Sequence, residues 1–188
     1  ITITPTLQTG ATYLAAARAL SDAPAIQRHF NNWNIIRHLA QVVPGAYPED
    51  GAETFIAREA GESRRGGEIY NWMLVLRGGD GEAIREYSLS PRVGRCEGQP
   101  RLLARGALLE IRGLMTEAVT AVNDFALPHA RDRRSFHACN AATNVASRRV
   151  KQKTGAELVG YIEARPSQWS DAREKWRVTR ENWLRRNL

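Results

Sequence analysis

The chain has 188 residues, of which 43% are hydrophobic, and this is enough for one domain with a real core. No apolar run approaches the roughly 20 residues that a membrane-spanning helix needs, and we expect no signal peptide. The net charge of +7 favours an acidic partner, but the usual nucleic-acid motifs are missing, so direct nucleic-acid binding is not expected.

Cysteines and histidines predict no metal centre. Cys96 and Cys139 fit no metal or redox spacing, and we expect both to be reduced thiols in a cytoplasmic protein. The four histidines show no ligand spacing either. The class of metalloenzymes is therefore not favoured.

The first third of the chain gives mixed signals. Residues 1–7 read as an extended lead-in, whereas the alanines of residues 9–20 favour a helix by local propensity. A helix is predicted to start at Ser21–Pro24, because a cap residue precedes an early proline there. Further helices are predicted over residues 33–39 and from Pro48 onward, and a loop is predicted over residues 62–67.

The rest of the chain reads as strands followed by alternating helices and strands. Residues 70–76 and 83–89 are predicted strands joined by a glycine-rich hairpin turn. A loop over 90–100 leads to a strand over 101–109. A helix then ends at Leu127 because Pro128 follows. The later predictions are a strand at 135–138, a helix at 144–155, strands at 157–162 and 174–178, and a helical tail at 180–188. This order predicts an α/β (α+β) fold, a mixed sheet with helices on both faces.

A glycine separates a predicted strand from a predicted helix at Gly113. Apolar residues recur downstream at Met115, Val119 and Val122, which is helical spacing. Glycine permits a tight bend and the close approach of a ligand, and the free N–H groups of a helix start bind anions. The stretch therefore indicates either an anion site or an ordinary turn between a strand and a helix.

A second stretch, residues 144–156, predicts a short helix with recognisable ends. Asn144 suits the N-cap, Gly155 suits the residue after the C-cap, and basic residues crowd the last turns.

Together these two stretches resemble the GNAT superfamily of N-acetyltransferases. Residues 112–118 read R-G-L-M-T-E-A, and residues 144–155 fit the pattern N-x-x-S-x-x-V-x-x-K-x-G. The nearest resemblance is to the branch that includes the ribosomal-protein N-terminal (alanine/serine) acetyltransferases. It is sharp from Gly113 to about Tyr161 and holds in outline elsewhere. It implies a single GNAT-like domain over residues 1–188, with a mixed, mostly antiparallel sheet, and it favours a strand within residues 9–20.

The resemblance also implies acetyl-CoA as co-substrate and assigns residues to it. Backbone N–H groups of residues 112–116 would bind the pyrophosphate, and Ser147 would donate a proton to the departing thiolate. The alternative role of Ser147 is a helix-capping hydroxyl. Lys151 and Lys153, like Arg149, would either help to hold phosphates or form a solvated basic face. The assigned cofactor-binding residues are Leu108, Leu109, Arg112, Gly113, Leu114, Met115, Thr116, Asn144 and Arg149. No general base is named, since Glu110, Glu117 and Glu157 qualify by position only.

Two questions stay open at this point. The amine acceptor is either a protein N-terminus or a small molecule, and Trp33, Tyr47 and Phe55 either border its site or pack in the core. A non-catalytic acyl-CoA-binding module on the same fold is the alternative to an enzyme, because Glu110 and Ile111 depart from the family pattern. We expect a cytoplasmic monomer or homodimer.

Overall fold

The computed structural model describes residues 4–16, 22–32, 38, 47–64, 70–79, 83–89, 98–101, 113–129, 135–163 and 172–186. In these ranges the strands are β1 (Leu7–Gln8), β2 (Thr12–Ala16), β3 (Tyr70–Leu76), β4 (Ala83–Leu89), β5 (Gly98–Arg101), β6 (Ser135–Ala141), β7 (Glu157–Glu163) and β8 (Ala172–Thr179). The helices are α1 (Ala23–Phe30), α2 (Gly51–Arg64), α3 (Leu114–His129), α4 (Val145–Lys153) and α5 (Arg180–Arg186).

The strands form one sheet in the order β1-β2-β3-β4-β5-β6-β8-β7. Neighbouring described strands pair antiparallel, except that β5 and β6 run parallel. Within the residues that the structure describes, β5 and β6 share a single register pair, Gly98 with Ala138. The sheet is therefore mixed and mostly antiparallel, as predicted.

The core lies on both faces of β3. Trp72 and Leu74 belong to a buried cluster with α3 residues such as Ala118 and Val122. Met73 and Val75 are also buried, and they point to the opposite face because side chains alternate along a strand. A strand with four consecutive buried residues needs cover on both faces, and the predicted helices on both sides of the sheet are present.

Several helices and strands begin or end at residues other than those predicted. Helix α2 starts at Gly51 and continues to Arg64, so residues 62–64 are helical and not loop. Strand β5 starts at Gly98, inside the predicted loop, and β6 runs on to Ala141. Helix α3 includes Pro128 in its last turn. There a proline removes one terminal hydrogen bond without stopping the helix at once. The segment 33–37 lies outside the described residues.

Two further features of the described residues concern membrane-spanning helices and the state of the cysteines. None of the helices described is long and apolar enough to cross a membrane. Cys139 is in a disulfide bond, so the expected reduced thiol is wrong at this position. Cys96 lies outside the described part of the chain.

Candidate active site

Gly113 stands immediately before α3 with a backbone φ of 72°, in the left-handed region that favours glycine. Its carbonyl accepts the first helical hydrogen bond, from the Glu117 N–H at 3.1 Å. A Cβ added at Gly113 would meet no atom within 4 Å. The start of α3 is therefore approachable, and its first N–H groups lack partners within the helix.

A cleft of about 560 Å³ lies beside this helix start. Its lining comes from the end of β1 and the loop that follows, from Gly113 and the first three turns of α3, and from the end of α4: Gln8, Thr9, Gly10, Gly113, Thr116, Glu117, Thr120, Ala121, Asp124 and Lys153. Lys153 contributes a cation, which adds to the positive potential of the α3 N-terminus and so favours an anion there. The open backbone at Gly113, the helix start and this lysine favour a phosphorylated group there, whereas the carboxylates of Glu117 and Asp124 in the same lining disfavour an anion beside them.

Glu117 connects α3 to the β1–β2 loop at one side of the cleft. The Ala11 N–H donates to its carboxylate at 2.8 Å across 106 residues of sequence. Hydrogen bonding from the Thr9 hydroxyl is the main cause that lowers the pKa of Glu117, and the backbone of Ala11 and Gly10 adds to it against a smaller opposing effect of burial. The carboxylate is thus charged and engaged with the β1–β2 loop, which makes it a poor candidate for a general base.

The start of α4 follows directly from the end of β6. Asn144 is its N-cap, and its side-chain oxygen accepts from the Ser147 N–H at 3.0 Å. The capping role therefore belongs to Asn144, and the Ser147 hydroxyl does not fill it. At the other end Gly155 has a φ of 73°, as expected for the residue after the C-cap.

Ser147 has a buried lysine beneath it. The Lys151 ammonium nitrogen donates to the Ser147 Oγ at 2.8 Å, and Lys151 is only 5% exposed. Burial lowers the pKa of Lys151 to about 7, with Arg173 acting in the same direction and Glu174 against it. The prediction that Lys151 holds phosphates or lies on a solvated basic face is therefore wrong.

A buried carboxylate anchors the same helix to the sheet. Glu174 on β8 is 1% exposed and forms an ion pair with Arg148 at 2.6 Å. It also accepts from Asn140 at 2.9 Å and from the Trp176 indole at 3.2 Å. Burial opposes ionisation, but these three donors lower the pKa of Glu174 below its usual value. The first turn of α4 is thereby tied to β6 and β8.

The predicted site residues fall into three groups. Gly113 and Thr116 line the cleft, whereas Leu114 is buried in the core and Met115 packs against it, so only their backbone can serve a ligand. Asn144 caps α4, Ser147 and the exposed Arg149 lie on α4, and none of the three lines the cleft. Leu108, Leu109 and Arg112 fall outside the described residues.

Sequence reasoning missed the residues of the β1–β2 loop and the burial of Lys151. Nothing local marks Gln8, Thr9 or Gly10 as part of a site. Lys151 had a signal, because it lies four residues after Ser147 and so on the same helix face.

Comparison with known proteins identifies the class. Residues 13–157 match the acetyltransferase (GNAT) domain family, and because this is most of the chain, the chain belongs to that family. It is an acetyl-CoA-dependent N-acetyltransferase, with acetyl-CoA as co-substrate. A search among curated proteins found no sequence match.

Solved structures of similar fold agree with this assignment. A GNAT-family acetyltransferase from Bacillus anthracis is 13% identical, with a TM-score of 0.72 over 94% of this chain and 99% of that one. RimL, a ribosomal L7/L12 alpha-N-protein acetyltransferase in complex with coenzyme A, is 14% identical, with a TM-score of 0.73 over 93% and 98%. A ribosomal-protein-S5-alanine acetyltransferase from Vibrio fischeri is 15% identical, with a TM-score of 0.71 over 95% and 98%. At these identities the similarity shows the fold.

Proposed function

We propose that this enzyme acetylates the N-terminal amine of a protein or peptide. The observation that carries the choice of acceptor is the net charge of +7, which attracts an acidic peptide and repels a polycation. Two of the solved structures of similar fold bear the names of ribosomal-protein acetyltransferases, which supports the same choice. An exposed acidic group at the start of α2, Glu49, Asp50 and Glu53, favours the second candidate, a small polyamine.

We also assign the cofactor and the proton donor on this basis. Backbone N–H groups from Gly113 to Thr116 would hold the pyrophosphate at the α3 start, and Asn144 and Arg149 would contact the cofactor from α4. Ser147 is the general acid for the departing thiolate. The roles of Leu108, Leu109 and Arg112 remain predictions, as does the single domain over residues 1–188.

We propose a cytoplasmic location, the compartment in which ribosomal proteins are made. The disulfide at Cys139 speaks against it, since disulfides are rare in reducing compartments.

A competition between acceptors tests the proposed substrate class. Peptides with a free N-terminal Ser or Ala are expected to be acetylated with a higher kcat/KM than spermine, measured by the release of free thiol from acetyl-CoA. Their kcat/KM is expected to fall as salt rises, because screening weakens electrostatic attraction. An equal or higher kcat/KM for spermine, with peptides inert, would show that the enzyme acts on small amines.

Gly113→Val is expected to abolish the stabilisation that acetyl-CoA gives to the wild type. Ligand at 100 times its Kd stabilises a protein by about 2.7 kcal/mol, and a side chain at position 113 would occupy the space that the ligand needs. Thermal unfolding with and without acetyl-CoA measures this. Gly78→Val is the matched control, because Gly78 has a φ of 70° and the same open surroundings in the β3–β4 turn. If both variants keep the shift, the cofactor does not bind at Gly113.

Ser147→Ala is expected to lower kcat about 100-fold, the effect typical of losing a general acid. The free energy of unfolding should fall by about 1–3 kcal/mol, because the buried Lys151 nitrogen loses an acceptor, whereas the cap of α4 stays in place, since Asn144 provides it. The acetyl-CoA-induced shift in melting temperature should also persist. A normal kcat in this variant would remove Ser147 from the mechanism.

A further inference from the structure

We propose that Lys151 is a positioning residue for catalysis: it orients the Ser147 hydroxyl toward the departing thiolate and returns to it the proton that it gives up. This inference rests on the proposed role of Ser147. Lys151 itself is buried and contacts Ser147 Oγ, so it would act through the serine.

The hydrogen bond between Lys151 and Ser147 has a defined direction. A lysine ammonium has three donors and no acceptor, so Ser147 Oγ is the acceptor in its 2.8 Å contact with the Lys151 nitrogen. The hydroxyl hydrogen of Ser147 must then point elsewhere. Ser147 is only half-buried, so this hydrogen is available to a group in front of the first turn of α4.

Lys151 is buried between α4 and its surroundings, which limits its contact with water. At 5% exposure, the lysine is held by its surroundings and cannot exchange its partner freely with water. Its ammonium meets the charges of β8, where Glu174 favours the protonated form and Arg173 opposes it. Arg148, on the same helix, is already paired with Glu174 at 2.6 Å. Burial is the main cause that lowers the pKa of Lys151 to about 7, and the lysine can therefore both hold and release a proton near neutral pH.

The proton balance of the step closes without another reactant. When the carbon–sulfur bond breaks, its electron pair stays on sulfur, and sulfur takes the proton from Ser147 Oγ. The oxygen takes a proton from the Lys151 nitrogen, which becomes a neutral amine. The acceptor nitrogen loses one proton as the amide forms, and this proton returns through solvent and the half-buried Ser147 hydroxyl to the Lys151 nitrogen, so the ammonium is restored.

Lys151→Met tests the inference, with Gln152→Met as control. Methionine keeps the length of the chain and removes the charge and the donors, while the neighbouring Gln152 is exposed on the same helix. We expect Lys151→Met to lower kcat at least tenfold, with the KM for acetyl-CoA unchanged and Gln152→Met close to wild type. In the wild type kcat should fall as pH rises through about 7, because Lys151 loses its proton, and this alkaline decline should be absent in Lys151→Met.

The double variant Ser147→Ala/Lys151→Met provides an internal check. Residues that act as one unit show non-additive losses, so the double variant should be no slower than Ser147→Ala alone. Multiplied losses would mean that Lys151 acts independently of the serine, which would overturn the inference.

A measurement without turnover tests the same coupling independently of Lys151→Met. In protein labelled with ¹³C-lysine and free of ligands, the NMR signals of the Lys151 side chain should titrate near neutral pH, and Ser147→Ala should move that midpoint. A midpoint near 10.5, or one that the serine variant leaves unchanged, would contradict the coupling.

The outcomes separate the two proposals. No thiol release with any amine would refute the proposed function. A normal kcat in Ser147→Ala would refute the role of Ser147 as general acid. Lys151 would then have no catalytic group to which it could return a proton. A slow Ser147→Ala together with a normal kcat and pH profile in Lys151→Met would refute the role of Lys151 alone.

Discussion

Replacing Glu174 by alanine is expected to lower the free energy of unfolding by about 3 kcal/mol, because its carboxylate accepts from the buried Asn140 and Trp176 side chains and pairs with the partly exposed Arg148. Glu174 is 1% exposed, so its removal leaves a small cavity. The Trp176 indole N–H, which donates to it, would lose its acceptor, and each buried donor left unsatisfied costs about 1–3 kcal/mol.

Urea unfolding at pH 7.5 measures this loss, and Glu181→Ala is the control. Glu181 pairs with Arg185 at 3.0 Å on α5, but both side chains are well exposed, so its loss should cost less than about 1 kcal/mol. Equal effects of the two substitutions would show that the contacts of Glu174 add nothing beyond those of a surface ion pair.

Lys151→Met is expected to stabilise the fold at acidic pH, by up to roughly 5 kcal/mol at pH 6. The pKa of Lys151 is about 7 in the folded protein against an ordinary value of 10.5, and each pH unit between them corresponds to about 1.4 kcal/mol. Below pH 7 both states of the wild type carry the proton, so the folded state bears the full cost of a buried charge. Between pH 7 and 10.5 the unfolded state binds more protons, so wild-type stability rises with pH.

The test compares the free energies of unfolding of both proteins from pH 6 to pH 10.5. The advantage of the variant should be largest and nearly constant below pH 7, shrink between pH 7 and pH 10.5, and nearly vanish at the upper end. Gln152→Met should show a constant difference from the wild type, since its side chain is exposed and uncharged. If the stability difference between Lys151→Met and the wild type were also independent of pH, burial of the charged lysine would not lower the stability of the wild type.

Elements defined by local chemistry were predictable from the sequence. Strands β3 and β4 have the predicted bounds, because their apolar and β-branched or aromatic residues flank a glycine-rich turn. The ends of α4 were also predictable, since Asn144 and Gly155 have side-chain and backbone properties that suit only a few positions in a helix.

Elements defined by distant contacts were not predictable from local propensity. Residues 12–16 contain two alanines, yet they form β2 because they pair along β3 from Thr12–Leu76 to Ala16–Trp72. Only the family resemblance predicted that strand. In the same way, the contact between Glu117 and Ala11 joins positions 106 residues apart, and no local pattern announces it.

The buried lysine shows a conflict between two rules. Helical spacing places Ser147, Lys151 and Thr154 on one face, and Lys151 and Thr154 are indeed buried. Lysine, however, is almost never fully buried without a partner, so the charge of Lys151 predicted a solvent-exposed position. The partners that resolve the conflict are Ser147, on the same helix, and Glu174, on a strand far along the chain.

Strand β7 has a consequence for how the protein behaves at high concentration. Among the described strands it pairs with β8 alone, and it exposes Leu158, Val159, Tyr161 and Ile162. A strand of this kind is a template for adding a strand from another molecule. Its register shifts between Leu158 and Gly160, and Gly160 has a φ of 152°. This irregularity interrupts the row of hydrogen-bonding groups that an incoming strand would need, so it protects the folded enzyme against aggregation through this edge.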